Sequence, residues 1–272
     1  MLRTLSSDHG RCGLGARRRS WAAVGLATLL LCGAAAGPSR ADMFTPSVKD
    51  QIKLGNQAAQ QVLHQYRVVH DERAAEVERM GRRLLDELPR KDREQWDWHF
   101  YLIQSKEINA FALPGGNTFF FTGLYDRLKT EDELAAVMGH EMTHVRKEHW
   151  AHMAAAAQKR EAGLAVILGL THAAPVWRSA AGIVDSMLNL RYSRKDEDQA
   201  DAGGLQDMVD AGYNPQGMLD LFHVLQESAG GGGGPAFLQD HPLTSTRIQH
   251  ARQRIADMDS RDFRPQIPLP GA

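Results

Sequence analysis

One pentapeptide constrains this chain more than any other feature: His140-Glu141-Met142-Thr143-His144. It follows Thr130-Glu131-Asp132-Glu133, which has the form of a helix start. The Thr130 hydroxyl can accept from the Glu133 amide, and the Glu133 carboxylate can reach back to the Thr130 amide. Leu134, Val137, Met138 and Val145 recur at helical spacing, and the pattern predicts one helix from there to about Gln158. Positions i and i+4 of a helix lie one turn apart on one face. His140 and His144 can therefore share one zinc ion, about 2.0–2.1 Å from each nitrogen. Glu141 is displaced around the helix, so its carboxylate reaches a water rather than the metal and can serve as general base.

A hydrolytic zinc site needs a third protein ligand and one open position. The sequence supplies a second acidic pair at helical spacing, Glu197 and Asp201, on a helix expected from Arg194 to Ala211. Glu197 can bind the metal. Asp201 can accept the outer N–H of a zinc histidine and fix its tautomer. His149 and His152 follow on the same predicted helix as the pentapeptide, where their spacing puts them off the zinc face or too far along it, with solvated or capping roles.

The rest of the chain gives a frame for these residues. Residues 47–88 read as helical and end at Pro89. Strands are expected at 96–104, 109–113 and 118–122, with turn chemistry at Pro114-Gly115-Gly116-Asn117. Further helices are expected at 216–228 and 245–258 on either side of a glycine hinge, Gly230 to Gly234. Residues 162–190 read as one or two core or lid helices. The fold class is α+β: a mainly helical zincin-like domain with a small, about three-stranded antiparallel sheet.

Taken together, Asn109-Ala110-Phe111-Ala112-Leu113-Pro114-Gly115-Gly116, the pentapeptide, Tyr192-Ser193-Arg194 with Glu197 and Asp201, and His241-Pro242 with Arg247 form an ordered set. This set resembles the gluzincin-type zinc metallopeptidases, the family that contains the periplasmic beta-barrel assembly-enhancing protease and the CAAX prenyl endopeptidase. The likeness covers roughly residues 45–258. It implies one zinc per chain on His140, His144 and Glu197, with Glu141 as base. It also implies that the element carrying His241 and Arg247 approaches the metal, His241 either to fill the fourth position in a resting state or to stabilise a developing oxyanion, and Arg247 either to do the latter or to pair with a carboxylate. Asn109, Ala110, Phe111 and Ala112 then form an edge strand that binds extended peptide, or an ordinary paired strand. The chain is expected to be a short member without a helical-repeat domain.

Composition bounds the setting. Of 272 residues, 43% are hydrophobic and 24% charged, with a net charge of −1, which excludes a disordered chain and gives no reason to expect nucleic acid. The first 41 residues hold six of the 32 basic and one of the 33 acidic side chains, so the remainder carries −6. Arg17-Arg18-Arg19, an apolar stretch from Trp21 to Ala36 and Ser39-Arg40-Ala41 follow the order of a cleavable secretory signal over 1–41. An uncleaved anchor is the alternative. Both cysteines, Cys12 and Cys32, lie in that segment, so the mature chain has no disulfide and any metal ligand must be His, Asp or Glu.

The expected organisation is a signal over 1–41, a zinc metallopeptidase domain over 42–260 and a Pro-rich tail over 261–272. The expected function is a periplasmic endopeptidase acting on unfolded or misassembled envelope proteins, with a peripheral membrane or outer-membrane assembly contact. A chaperone-like binding module with latent or structural zinc is the alternative from a different class, and a narrow aminopeptidase is a third reading.

Overall fold

The computed structural model describes residues 44–168, 191–230, 234–258 and 263–270. The segment 1–41, expected to be an export signal, and most of 162–190 lie outside the described residues, as do Gly231 to Gly233 of the glycine run.

The long helical run at the start is two helices. α1 (Val48–Gln65) is capped by Ser47, whose hydroxyl accepts from the Asp50 amide. α2 (Glu72–Glu87) is capped by Asp71, which accepts from the Arg73 and Ala74 amides. Between them the chain turns extended and pairs with a strand: Val68 bridges Ile103, and the Val69 amide donates to the Leu102 carbonyl at 2.9 Å. The apolar spacing crosses this gap without a proline or glycine to mark it. A short α3 (Arg90–Gln95) then leads to the sheet.

Three strands form that sheet: β1 (His99–Ile103), β2 (Ala110–Ala112) and β3 (Asn117–Phe121). Their order is β1-β3-β2. β2 and β3 are the expected antiparallel hairpin, and the turn between them needs positive φ at Gly115 and Gly116 (96° and 120°). The sheet is not wholly antiparallel, however, because β1 pairs with β3 in parallel, His99 opposite Asn117 through Ile103 opposite Phe121. The hairpin inserts its second strand between β1 and β2, and that strand runs the same way as β1. Residue patterning predicts strands but not their spatial order.

β3 is buried on both faces. Phe119 and Phe121 pack with Ala58, Val62, Phe111 and Trp150 from α1, β2 and the sixth helix. Phe120 faces the opposite way, into the larger core with Met80, Leu84 and Leu134. The sheet therefore has helices on both sides. After α4 (Thr122–Tyr125) comes α5 (Glu131–Arg146), which carries the pentapeptide. The predicted capping box at Thr130 and Glu133 is present.

α5 does not run to residue 158. It stops at Lys147, Glu148 takes a left-handed φ of 53°, and α6 (His149–Leu168) starts afresh. The Gln51 amide side chain donates to the Glu148 carboxylate at 2.7 Å, which helps to hold that break. α7 (Arg194–Asp210), α8 (Gln216–Ala229), α9 (Ala236–Asp240) and α10 (Ser245–Ala256) complete the domain. The Pro-rich segment docks on the start of α5: the Glu131 amide donates to the Ile267 carbonyl, the Leu269 amide to the Lys129 carbonyl, and Leu269 is buried. Among the described residues, no helix is long and apolar enough to cross a membrane.

Candidate metal centre

α5 and α7 cross in direct backbone contact, and two glycines permit it. A Cβ on Gly139 would stand 2.8 Å from Gly204 Cα, and one on Gly204 would stand 2.6 Å from the His140 nitrogen. Side chains at these positions would force the helices apart. With glycine there, the buried face of α7 delivers Glu197 and Asp201 to the two histidines of α5. His241, just past the end of α9, and Arg247, on α10, close the far side.

The four ligand-type atoms of His140, His144, Glu197 and His241 all lie within 4.8 Å of one another. His144 Nε2 is 3.1 Å from His140 Nε2, and His140 Nε2 is 3.2 Å from His241 Nδ1. His241 Nδ1 is 2.9 Å from Glu197 Oε1, which stands 3.6 Å from His144 Nε2. Two ligands each 2.0–2.1 Å from one tetrahedral ion would lie about 3.3 Å apart, so this spacing suits a shared cation. All four residues are at most 3% exposed. Three imidazoles and a carboxylate turned inward in a buried pocket fit zinc in donor type, number and spacing.

The surroundings complete the arrangement. His140 Nδ1 faces Asp201 Oδ1 at 3.0 Å. Arg247 grips Asp201 with two hydrogen bonds of 2.7 Å and places its Nη1 2.6 Å from Glu197 Oε2. Burial works to raise the Asp201 carboxyl, but Arg247 and His140 outweigh it and hold its pKa down to about 2. Burial likewise works against an ionised Glu197, yet His241, His140 and Arg247 keep its carboxyl below the usual range. His144 is pushed well below an ordinary imidazole by burial and by the neighbouring rings and Arg247, so it stays neutral and able to ligate. His241 is raised, because Glu197 and Glu141 overcome the effect of burial.

Glu141 stands apart from the ligand set. Its Oε1 is 3.6 Å from His241 Nε2 and has no hydrogen-bond partner among the described residues, while the Ala112 amide of β2 hydrogen-bonds the same carboxylate. Burial raises its pKa above the usual carboxylate value.

The structure therefore assembles His140, Glu141, His144, Glu197, Asp201, His241 and Arg247 in one pocket. It also places the sequence-selected strand beside them. Asn109 and Leu113 exchange backbone hydrogen bonds with β3, so the Phe111 backbone between them faces β3 as well, and the backbone groups of Ala110 and Ala112 face away from β3, on a strand that is buried throughout. On that side the Ala110 amide is held by Asn109 Oδ1 at 2.9 Å. His152 is exposed, as expected. His149 is not a solvated residue: it is 3% exposed, with Nδ1 2.9 Å from His144 Nδ1 and Nε2 3.1 Å from Gln199 Oε1. The break at Glu148 turns His149 back toward the pocket, which a continuous helix would not allow. Sequence reasoning also missed the ring packing, with Tyr192 3.9 Å from the His144 centroid and Phe237 stacked on His241 at 4.7 Å. No local signal in the sequence marks either contact.

A paired-histidine helix, a carboxylate from a second helix and a separate buried glutamate define a zinc metallopeptidase of the gluzincin kind. Residues 71–255 match the model of peptidase family M48, and the chain belongs to that family. It is 30% identical over 227 residues to the beta-barrel assembly-enhancing protease of Escherichia coli, covering 79% of this chain and 45% of that protein. It is 29% identical over 170 residues to the metalloprotease LoiP of Escherichia coli, covering 58% of this chain and 63% of LoiP. It is 33% identical over 161 residues to the mitochondrial metalloendopeptidase OMA1 of Schizosaccharomyces pombe, covering 59% and 47%. The chain spans about half the length of the beta-barrel assembly-enhancing proteases it matches.

Proposed function

We propose that the chain is an exported zinc-dependent endopeptidase that cuts extended or misfolded polypeptides of the cell envelope. The carrying observation is the contrast between Glu141 and Glu197. Both are buried in the same pocket, but only Glu197 joins the three imidazoles, while Glu141 keeps an unpaired oxygen facing His241. A purely structural metal site has no use for a buried carboxylate that neither ligates the metal nor orients a ligand.

When bound by His140, His144 and Glu197, zinc supplies a Lewis acid that polarises a peptide carbonyl and lowers the pKa of a water. Glu141 takes the proton of the attacking water. Its raised pKa suits a group that must hold a proton briefly and then pass it to the leaving amine. Asp201 accepts from His140 Nδ1 and so keeps Nε2 free for the metal. Arg247 fixes Asp201 and Glu197 together. Extended substrate lies along β2, where the outward carbonyls of Ala110 and Ala112 read main chain more than side chain, their amides being engaged by Asn109 and Glu141, with Asn109 and Phe111 holding the strand in place. The Ala112 amide already serves Glu141, so a bound strand meets the catalytic base directly.

Envelope substrates, a periplasmic location and contact with the membrane or with outer-membrane assembly are supported by the 1–41 segment and by the relative named for beta-barrel assembly. One observation favours the chaperone-like alternative. His241 Nδ1 already stands among the ligands, as it would if it held the fourth position in a latent state.

Glu141→Gln separates the readings. It is expected to keep stoichiometric zinc and to lose casein hydrolysis by about 10²–10⁴-fold, the usual worth of a general base. A fully active Gln variant would sink the mechanism. A wild-type protein that protects an unfolded client but cleaves nothing, with or without His241→Ala, would favour the binding module.

A further inference from the structure

We propose that His149 is a positioning residue for the metal centre: it fixes His144 in the tautomer that turns Nε2 to the ion, and Gln199 fixes His149 in turn. This rests on the zinc reading above.

The argument is one of donors and acceptors. His144 Nε2 faces His140 Nε2 and Glu197 Oε1, so it lies on the metal side. A ligating Nε2 offers its lone pair, which leaves the ring proton of neutral His144 on Nδ1. That nitrogen is 2.9 Å from His149 Nδ1, and two ring nitrogens this close need one donor and one acceptor. His149 must accept, so its own proton sits on Nε2. Nε2 faces Gln199 Oε1 at 3.1 Å, an atom that only accepts. The three residues thus form a single directed chain in which each ring has one allowed tautomer. Asp196 Oδ1 stands further off, 3.9 Å from His149 Nε2, and the Tyr192 ring lies beside both imidazoles.

The two zinc histidines are therefore held differently. His140 donates to a carboxylate, Asp201, and His144 donates to a neutral ring. A carboxylate partner raises the basicity of the ligand more than a neutral imidazole does. His144 is then the weaker electron donor of the pair, and a bound ion keeps more of its Lewis acidity than two carboxylate-backed histidines would allow.

The test uses the full chain with His149→Leu, His149→Asn and Gln199→Leu. Zinc affinity is read by chelator competition and ligand geometry by the absorption bands of the cobalt(II)-substituted protein. Zinc stoichiometry of the wild type is measured first: its absence would end the metal-centre reading itself, independently of the relay. With zinc present, His149→Leu is expected to weaken binding roughly 10–100-fold and to shift the cobalt bands. His149→Asn keeps an acceptor for His144 and should recover most of the loss. Gln199 is exposed, so Gln199→Leu should fold normally and shift both readouts in the same direction by a smaller amount. It keeps the test valid if His149→Leu does not fold. Wild-type affinity and spectrum in both leucine variants would overturn the proposal. So would a loss that Asn fails to recover while Gln199→Leu is silent, since that marks a packing role.

Discussion

The two ends of α5 bury charge in opposite ways. At its start, Asp132 and Glu133 are both buried, and each carboxylate accepts from two backbone amides. Asp132 accepts from the Asn214 amide at 2.6 Å and the Ile267 amide at 3.3 Å; Glu133 accepts from the Lys129 and Thr130 amides. Toward its end, the buried groups face one another instead. Three imidazole nitrogens converge on Glu197, whose other oxygen meets Arg247 Nη1 at 2.6 Å, and among the described residues Glu141 Oε1 lacks a hydrogen-bond partner. One helix thus carries a finished pair of carboxylates, Asp132 and Glu133, and an unfinished network further along. An unfinished buried network costs stability, so it persists where another requirement, here a cation and a substrate, maintains it.

The sharpest way to break this contrast is at the helix crossing. Gly204→Ala puts a methyl group against the His140 amide and leaves the acidic end of α5 untouched. The helices must separate, which costs about 1–3 kcal/mol as overpacking. Glu197 then withdraws from His140 and His144. Peptidase activity should fall by at least about 10²-fold with loss of zinc, because a misplacement near 1 Å is enough to cost that much. Assay of hydrolysis and of bound metal checks both.

Removing the ion tests the unfinished end alone. A ligand at 1,000 times its dissociation constant stabilises the folded chain by about 4 kcal/mol. At roughly 2–4 °C per kcal/mol for a domain of this size, chelation should lower the melting temperature by roughly 8–16 °C. Calorimetry with and without a chelator measures this. An unchanged melting temperature would mean that the four inward-facing groups do not hold a metal.

Much of this layout is legible in the sequence because it is encoded locally. The Thr130 cap, the i, i+4 histidines and the Glu197/Asp201 pair need only a helix to put them in place, and each helix has clear start chemistry. The turn at Gly115-Gly116 likewise announces the β2–β3 hairpin. What escaped depends on long-range packing. The parallel β1–β3 pairing is decided by which strand is inserted between the others. The division of the first helical run at 66–71 is set by pairing with β1. The break at Glu148 is held by Gln51, far away in sequence, and it alone brings His149 to the metal side.

The finished end can be opened in turn. Asp132→Ala removes the buried acceptor of two part-buried amides and should cost about 1–3 kcal/mol, with zinc affinity unchanged. The centre is about 12 Å further along the helix, beyond the range where neighbouring effects couple. Asp132→Ala and chelation should therefore add to within about 0.5 kcal/mol in denaturant unfolding. A large coupling would show that the two ends are one network.

The smallest expected effect is at the cap itself. The Thr130 hydroxyl accepts from the Glu133 amide at 3.2 Å, and the Glu133 carboxylate answers the Lys129 and Thr130 amides. Thr130→Ala removes one half of this exchange and should cost about 1 kcal/mol. The other half remains, and the Glu131 and Leu269 amides still hold the docked tail through the Ile267 and Lys129 carbonyls. The first turn should loosen while His140 and His144 keep their register. Hydrogen exchange at the first-turn amides is expected to quicken, with metal content and hydrolysis unchanged. If zinc affinity fell together with the cap, the paired end would be holding the unpaired one in register rather than only starting its helix.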